Sequence, residues 1–208
     1  TLVIIPSRLS ATRLPGKPLL KINGLSIISH VVKKAEEANI GDVVVAAEDQ
    51  EIADDVKKNG GQVILTNKGH KTGTDRIYEA LTKLKRSNID LIMNLQGDEP
   101  LMNIDDIKSL NKQMIETESL LGTLASNIED KNIYENPNIV KVITQQKIEA
   151  SKFPEAINFT RKITIEKKNI YHHLGIYCYQ QDTLKKFISY DQSQNEKKNK
   201  LEQLRALD

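Results

Sequence analysis

Leu2-Val3-Ile4-Ile5 is an unbroken apolar run of strand length, and Pro6-Ser7-Arg8 turns it into a non-helical, basic loop. The run is too short for a buried helix and reads as a strand. Downstream, Ile27, Ile28, Val31, Val32, Ala35 and Ala38 recur at helical spacing behind Ser26, an expected N-cap. Val43-Val44-Val45-Ala46-Ala47 then reads as a second buried strand. Ile52, Ala53 and Val56 mark another helix, stopped by Asn59-Gly60-Gly61. Val63-Ile64-Leu65 is a third strand, Ile77, Ala80, Leu81 and Leu84 form the inner face of a third helix, and residues 89–95 form a further strand. Strands alternating with helices predict an α/β fold, an open and mostly parallel sheet with crossover helices.

Beyond residue 100 the rhythm loosens. Asn103 is expected to cap a helix carrying Ile104, Ile107, Leu110 and Met114, residues 120–128 and 139–143 read as strands, 148–180 has β character, and about 195–208 reads as helix. The 208 residues fit one domain, with no internal repeat and no clear linker.

Composition narrows the classes. At 28% charged and 38% hydrophobic the chain is globular, and it contains no long uncharged apolar run that would cross a bilayer. No basic leader precedes the first strand, so export is not expected. One cysteine, Cys178, and four scattered histidines offer neither an internal disulfide nor a zinc pattern, which fits a reducing cytoplasm. A net charge of +2 is too small to bind nucleic acid by bulk charge. The run Lys197-Lys198-Asn199-Lys200 reads as a solvated face.

In open parallel sheets ligands bind beyond the carboxyl ends of the strands. The loop after the first strand, residues 6–18, carries Arg8, Arg13, Gly16 and Lys17. Guanidinium forks, an ammonium and a glycine turn suit the phosphoryl oxygens of a polyphosphate, as well as an ordinary basic surface loop. It is not a Walker A loop, because Ala11 and Pro18 stand where Gly and Ser or Thr are required, and no G-x-G-x-x-G occurs. After the strand ending at Leu95 comes Gln96-Gly97-Asp98-Glu99-Pro100, an acidic turn or a hard-oxygen site for Mg²⁺. Adjacent side chains in extended chain point oppositely, so one of the two acids would face a metal. The stretch from His70 to Arg76 runs into a helix N-terminus and serves equally as a cap or as a base- or ribose-recognising segment.

Together these stretches resemble the 3-deoxy-manno-octulosonate cytidylyltransferase (CMP-Kdo synthetase) family along nearly the whole chain. The likeness rests on residues 4–8 and 12–19, Gly73-Thr74-Asp75-Arg76, residues 94–100, Asn136-Pro137-Asn138 with Val140-Lys141-Val142, His173-Leu174-Gly175-Ile176-Tyr177 and Leu201-Glu202-Gln203-Leu204-Arg205. The resemblance implies a Rossmann-like nucleotidyltransferase fold of the glycosyltransferase-A-like type, with residues 1–118 mainly binding CTP and 119–208 mainly serving sugar binding and dimerisation.

By the same resemblance Arg8, Arg13 and Lys17 would hold the CTP phosphates, Gly73 and Arg76 would lie near the cytidine, and Asp98 would bind Mg²⁺. Gln96, Arg161, His173, Glu202 and Gln203 would line the pocket for the acidic eight-carbon sugar, with Arg161 facing its carboxylate. The expected reaction yields CMP-Kdo and pyrophosphate for lipopolysaccharide assembly, in a cytoplasmic homodimer acting on neither nucleic acid nor membrane. The resemblance also implies a segment beyond Asp208 with a second metal-binding aspartate, and a longer stretch between Arg161 and His173 than this chain has. Another acidic sugar, such as an amino-Kdo, stays open as substrate, as does a non-catalytic nucleotide-binding relative. Sialic acid is disfavoured, because its cytidylyltransferases carry a more glycine-rich first loop.

Overall fold

The computed structural model describes the chain except for residues 11–13, 87, 131, 149–152 and 164–167. Its strands and helices are, in order, β1 (Leu2–Ser7), β2 (Lys21–Ile22), β3 (Leu25–Ser26), α1 (Ile27–Ala38), β4 (Asp42–Ala47), α2 (Gln50–Lys58), β5 (Gln62–Leu65), α3 (Gly73–Leu84), β6 (Leu91–Asn94), α4 (Ile104–Thr117), β7 (Leu121–Ser126), α5 (Asn132–Glu135), β8 (Lys141–Thr144), β9 (Ala156–Thr160), β10 (Ile170–Gln180), α6 (Gln181–Ser189) and α7 (Gln194–Asn199). Short 3₁₀ turns cover Lys17–Leu19 and Glu202–Ala206.

Two compact units emerge, Thr1–Gly122 with Ile176–Ile188, and Thr123–Gly175 with Ser189–Asp208. The first unit runs to Gly122, and the chain returns to it for Ile176–Ile188. Nothing in the sequence marks that return, because β10 is one uninterrupted strand with residues in each unit.

In the first unit β5, β4, β1 and β6 are parallel neighbours, and Tyr177–Gln180 of β10 runs antiparallel beside β6. Leu2 and Ile4 of β1 share a core with Ile77, Ala80 and Leu81 of α3 and with Leu184 and Phe187 of α6. Val3 and Ile5 point to the other face and are also buried. A strand covered on both faces has no polar alternation, which is why its apolar run is continuous. Each fully buried isoleucine or leucine contributes roughly 1.5–3 kcal/mol relative to exposure. The expected caps form: Ser26 Oγ accepts from the Ser29 N–H, and Asn103 Oδ1 from the Asp105 N–H. Thr72 and Asp75 close a reciprocal capping box at the start of α3. The chain's single cysteine, Cys178, is fully buried here, and burial pushes its thiol up to about 12.

In the second unit β8 lies between β9 and residues 170–172 of β10, all antiparallel. Val142, Phe159 and Tyr171 on one face pack against Leu201 and Leu204. The helix expected over 195–208 is broken: Lys200 adopts φ 53°, which ends α7 after Asn199, and the chain continues as the Glu202–Ala206 3₁₀ turn. Among the described residues no helix is long and apolar enough to cross a membrane.

Candidate functional site

At the carboxyl ends of the first unit's parallel strands, three segments singled out in the sequence converge on Pro6. A Cβ on Gly97 would stand 2.9 Å from the Pro6 carbonyl oxygen and 3.2 Å from Ile28 Cδ1. A Cβ on Gly73 would stand 3.4 Å from Pro6 Cγ. The turn after β6 and the start of α3 therefore both lie against the end of β1, and at Gly97 the fit leaves no room for a side chain.

The loop after β1 is held by its own backbone and by the turn that follows β4. Gly16, at φ 73°, donates its N–H to Leu9 O at 3.1 Å, closing the loop on itself. Asp49 Oδ2 accepts from the Leu9 N–H at 2.8 Å, and the Glu48 N–H reaches Ser7 O at 3.1 Å. The sequence reading singled out neither Glu48 nor Asp49, so these supports were missed there. From this loop Lys17 Nζ extends to Asp98 Oδ2, 2.9 Å away. The two side chains are 32% and 50% exposed, so the pair itself adds only about 0–1 kcal/mol to stability. Its significance is placement: a cation and an oxygen donor from separate motifs share one point in space. Arg8 is exposed on the same loop, and Arg13 lies outside the described residues.

Asp98 suits a hard cation, since it offers an exposed carboxylate at a strand end beside a cationic loop. Its neighbour Glu99 is held above the usual carboxylate range, by desolvation and then by repulsion from Asp98, with Lys17 opposing. Among the described residues no cluster of three or more His, Cys, Asp or Glu could cage a metal. One or two carboxylates plus water and phosphate is the usual Mg²⁺ set, and these residues fit it. Gln96 is half-buried and donates to Asn94 Oδ1 at 3.1 Å.

Arg76 is buried, its guanidinium paired with Glu48 and donating to Thr66 Oγ1 at 3.0 Å. Thr66 Oγ1 in turn donates to Ala47 O at 3.1 Å. The guanidinium therefore joins α3 to the ends of β4 and β5. Two clefts of about 390 and 460 Å³ open instead around Thr1, at the amino ends of the strands, and carry none of the motif residues.

The remaining sequence-derived positions lie in the second unit. His173 is buried, with Nε2 2.9 Å from Thr123 Oγ1 and its ring edge-on to Phe159. Burial, and then the neighbouring His172, lowers it to about 4, so the ring is neutral at pH 7. Glu202 and Gln203 lie between Leu201 and Leu204, which share Phe159's core. That stretch is anchored by a buried, two-point ion pair, with Arg205 Nε 2.8 Å from Glu196 Oε2 and Nη2 2.7 Å from Oε1. Arg161 Nε and Nη2 donate to Asn199 O and Lys200 O, and Nη1 to Pro137 O. Arg161, His173, Glu202 and Gln203 are thus gathered around residues 199–204.

A model of the cytidylyltransferase family matches residues 2–208. The chain is 43% identical to the 3-deoxy-manno-octulosonate cytidylyltransferase of Rhodopseudomonas palustris (strain BisB18), covering all of this chain and 85% of the relative. It is 41% identical to the protein of that name from Nitrobacter hamburgensis, covering all of this chain and 81% of the relative. A solved CMP:2-keto-3-deoxy-manno-octonic acid synthetase complexed with CTP superimposes with a TM-score of 0.88 at 34% identity, over 99% of this chain and 84% of that one. The 4-diphosphocytidyl-2C-methyl-D-erythritol synthase of Anaerococcus prevotii, at 12% identity and a TM-score of 0.58 over 91% of this chain and 77% of that one, shares the fold.

Proposed function

The chain belongs to the cytidylyltransferase family, and from that membership we propose that it is a 3-deoxy-manno-octulosonate cytidylyltransferase, forming CMP-Kdo and pyrophosphate from CTP and Kdo. The observation that carries the chemistry is the approach of Lys17 to Asp98, which unites the loop suited to phosphate with the carboxylate suited to a metal.

In this reading the sugar's anomeric hydroxyl attacks the α-phosphorus of CTP in line. The oxygen–phosphorus bond forms as the bond to the bridging oxygen breaks, pyrophosphate leaves, and the hydroxyl proton passes to solvent. Catalysis is then largely placement and charge stabilisation. Arg8, Arg13 and Lys17 offset the charge on the phosphoryl oxygens, and Gly73 and Arg76 flank the nucleoside. Mg²⁺ held by Asp98 would supply further positive charge at those oxygens. Gln96, Arg161, His173, Glu202 and Gln203 hold the sugar acid. A neutral His173 contributes hydrogen bonding rather than charge, and Arg161, as the family resemblance implies, is the partner for the carboxylate. A homodimer working in the cytoplasm belongs to the same proposal.

The test is pyrophosphate release from CTP and Mg²⁺ with Kdo, with amino-Kdo, with sialic acid and with no sugar. Release with Kdo alone is expected. Release only with another sugar would change the substrate and keep the chemistry, and CTP binding without release in any tube would overturn the assignment.

A further inference from the structure

Lys141 is fully buried, the largest side chain of the described residues to be so. A buried ammonium is costly unless its donors are satisfied, and here all three are: Nζ lies 2.7 Å from Asn136 O, 2.9 Å from Ile139 O and 2.6 Å from Arg161 O. Every acceptor is a neutral main-chain carbonyl. Its partner across the strand pairs is Thr160 on β9 and His172 on β10. Arg161 repeats the pattern with its three bonds to carbonyls, and one N–H remains on each Nη. Among the described residues neither cation makes an ion pair.

Two cations placed together with only dipoles for company repel each other, and burial and then Arg161 both push the Lys141 ammonium down. A clamp on the main chain alone gains nothing from that repulsion. An anion accepting from the remaining N–H groups of Arg161 would meet both charges, since a low-dielectric surround screens the buried one weakly. We propose that Lys141 is a positioning residue for the sugar-acid site: it fixes the main chain at Arg161 and, with Arg161, holds a positive charge whose counter-ion is the substrate's carboxylate. This rests on the reading that Arg161 meets that carboxylate.

The test compares Kdo with its neutral C1 carboxamide as substrates of wild type, Lys141→Met and Arg161→Gln, with the KM for CTP measured in parallel. Wild type should prefer the carboxylate by about a hundredfold in kcat/KM, and Lys141→Met should reduce that preference by about tenfold with the KM for CTP unchanged. Equal losses on both sugars, with the preference intact, would make Lys141 a structural clamp and overturn the proposal. If Arg161→Gln keeps the full preference, the failure lies in the reading beneath it, and the proposal falls with it. Should Lys141→Met not fold, Lys141→Gln, which keeps an N–H donor without charge, carries the same comparison. A wild type that accepts the carboxamide as readily as the carboxylate overturns the proposal without any variant.

Discussion

Lys17 reaches from the loop after β1 to the turn after β6, bringing its Nζ to 2.9 Å from Oδ2 of Asp98. Neither side chain is needed for folding at that exposure, so their loss should appear in turnover. Lys17→Ala is expected to lower kcat/KM for pyrophosphate release by about a hundredfold to a thousandfold, the upper figure being the full loss of one charge pair of roughly 4 kcal/mol at an effective dielectric near 20. Asp98→Asn should raise the Mg²⁺ concentration required for half-maximal rate. Near wild-type kcat/KM in Lys17→Ala would remove Lys17 from the phosphate site.

Arg76 behaves differently, because its ion pair with Glu48 is nearly sealed. Arg76→Ala leaves Glu48 without its cation and should cost about 3–5 kcal/mol in urea denaturation. The double variant Glu48→Gln/Arg76→Met should recover part of that loss. A single-variant cost below 1 kcal/mol would show that water reaches the pair.

Gly97→Ala places a methyl group 2.9 Å from the Pro6 carbonyl oxygen, a backbone atom that cannot rotate away. The expected cost is about 1–3 kcal/mol, measured by urea denaturation. Because the shift would carry Asp98 away from Lys17, kcat/KM should fall as well. An alanine variant with both quantities unchanged would contradict the close packing.

His173 titrates at about 4 in the folded chain, against an ordinary 6.5. Between those values the unfolded chain binds the extra proton, so the stability due to the neutral ring is complete above pH 6.5 and declines as pH falls towards 4. From pH 7 to pH 5 the loss should be about 2 kcal/mol. His173→Gln should abolish that part of the pH dependence in urea titrations. An equal slope in wild type and variant would place the proton elsewhere.

The parallel sheet was legible because β1 and β4 are apolar on both faces, and Ser26 and Asn103 announced the helices they cap. The helix Gln181–Ser189 was not: it follows β10 without a break and buries only Leu184 and Phe187. The stop at Lys200 was hidden because a lysine with positive φ leaves no mark in composition. At the site, each motif could be read singly, whereas the meeting of Lys17 with Asp98 depends on β1 and β6 being neighbours, which spacing does not encode. Lys141 stood within one of the quoted stretches but was given no role, because lysine ordinarily reads as solvated surface. Only the three carbonyls around its Nζ distinguish it.

The seclusion of Cys178 equips the chain with a native gauge of its own opening. A sulfhydryl that is fully covered and kept protonated at neutral pH is shielded from thiol-specific dyes while β10 stays in place. Modification must then wait for that strand to leave the sheet, and with one cysteine in the chain the labelling signal belongs to a single address. The rate of dye uptake in native buffer would therefore report how often the first unit's core breathes, with no engineered probe to disturb it.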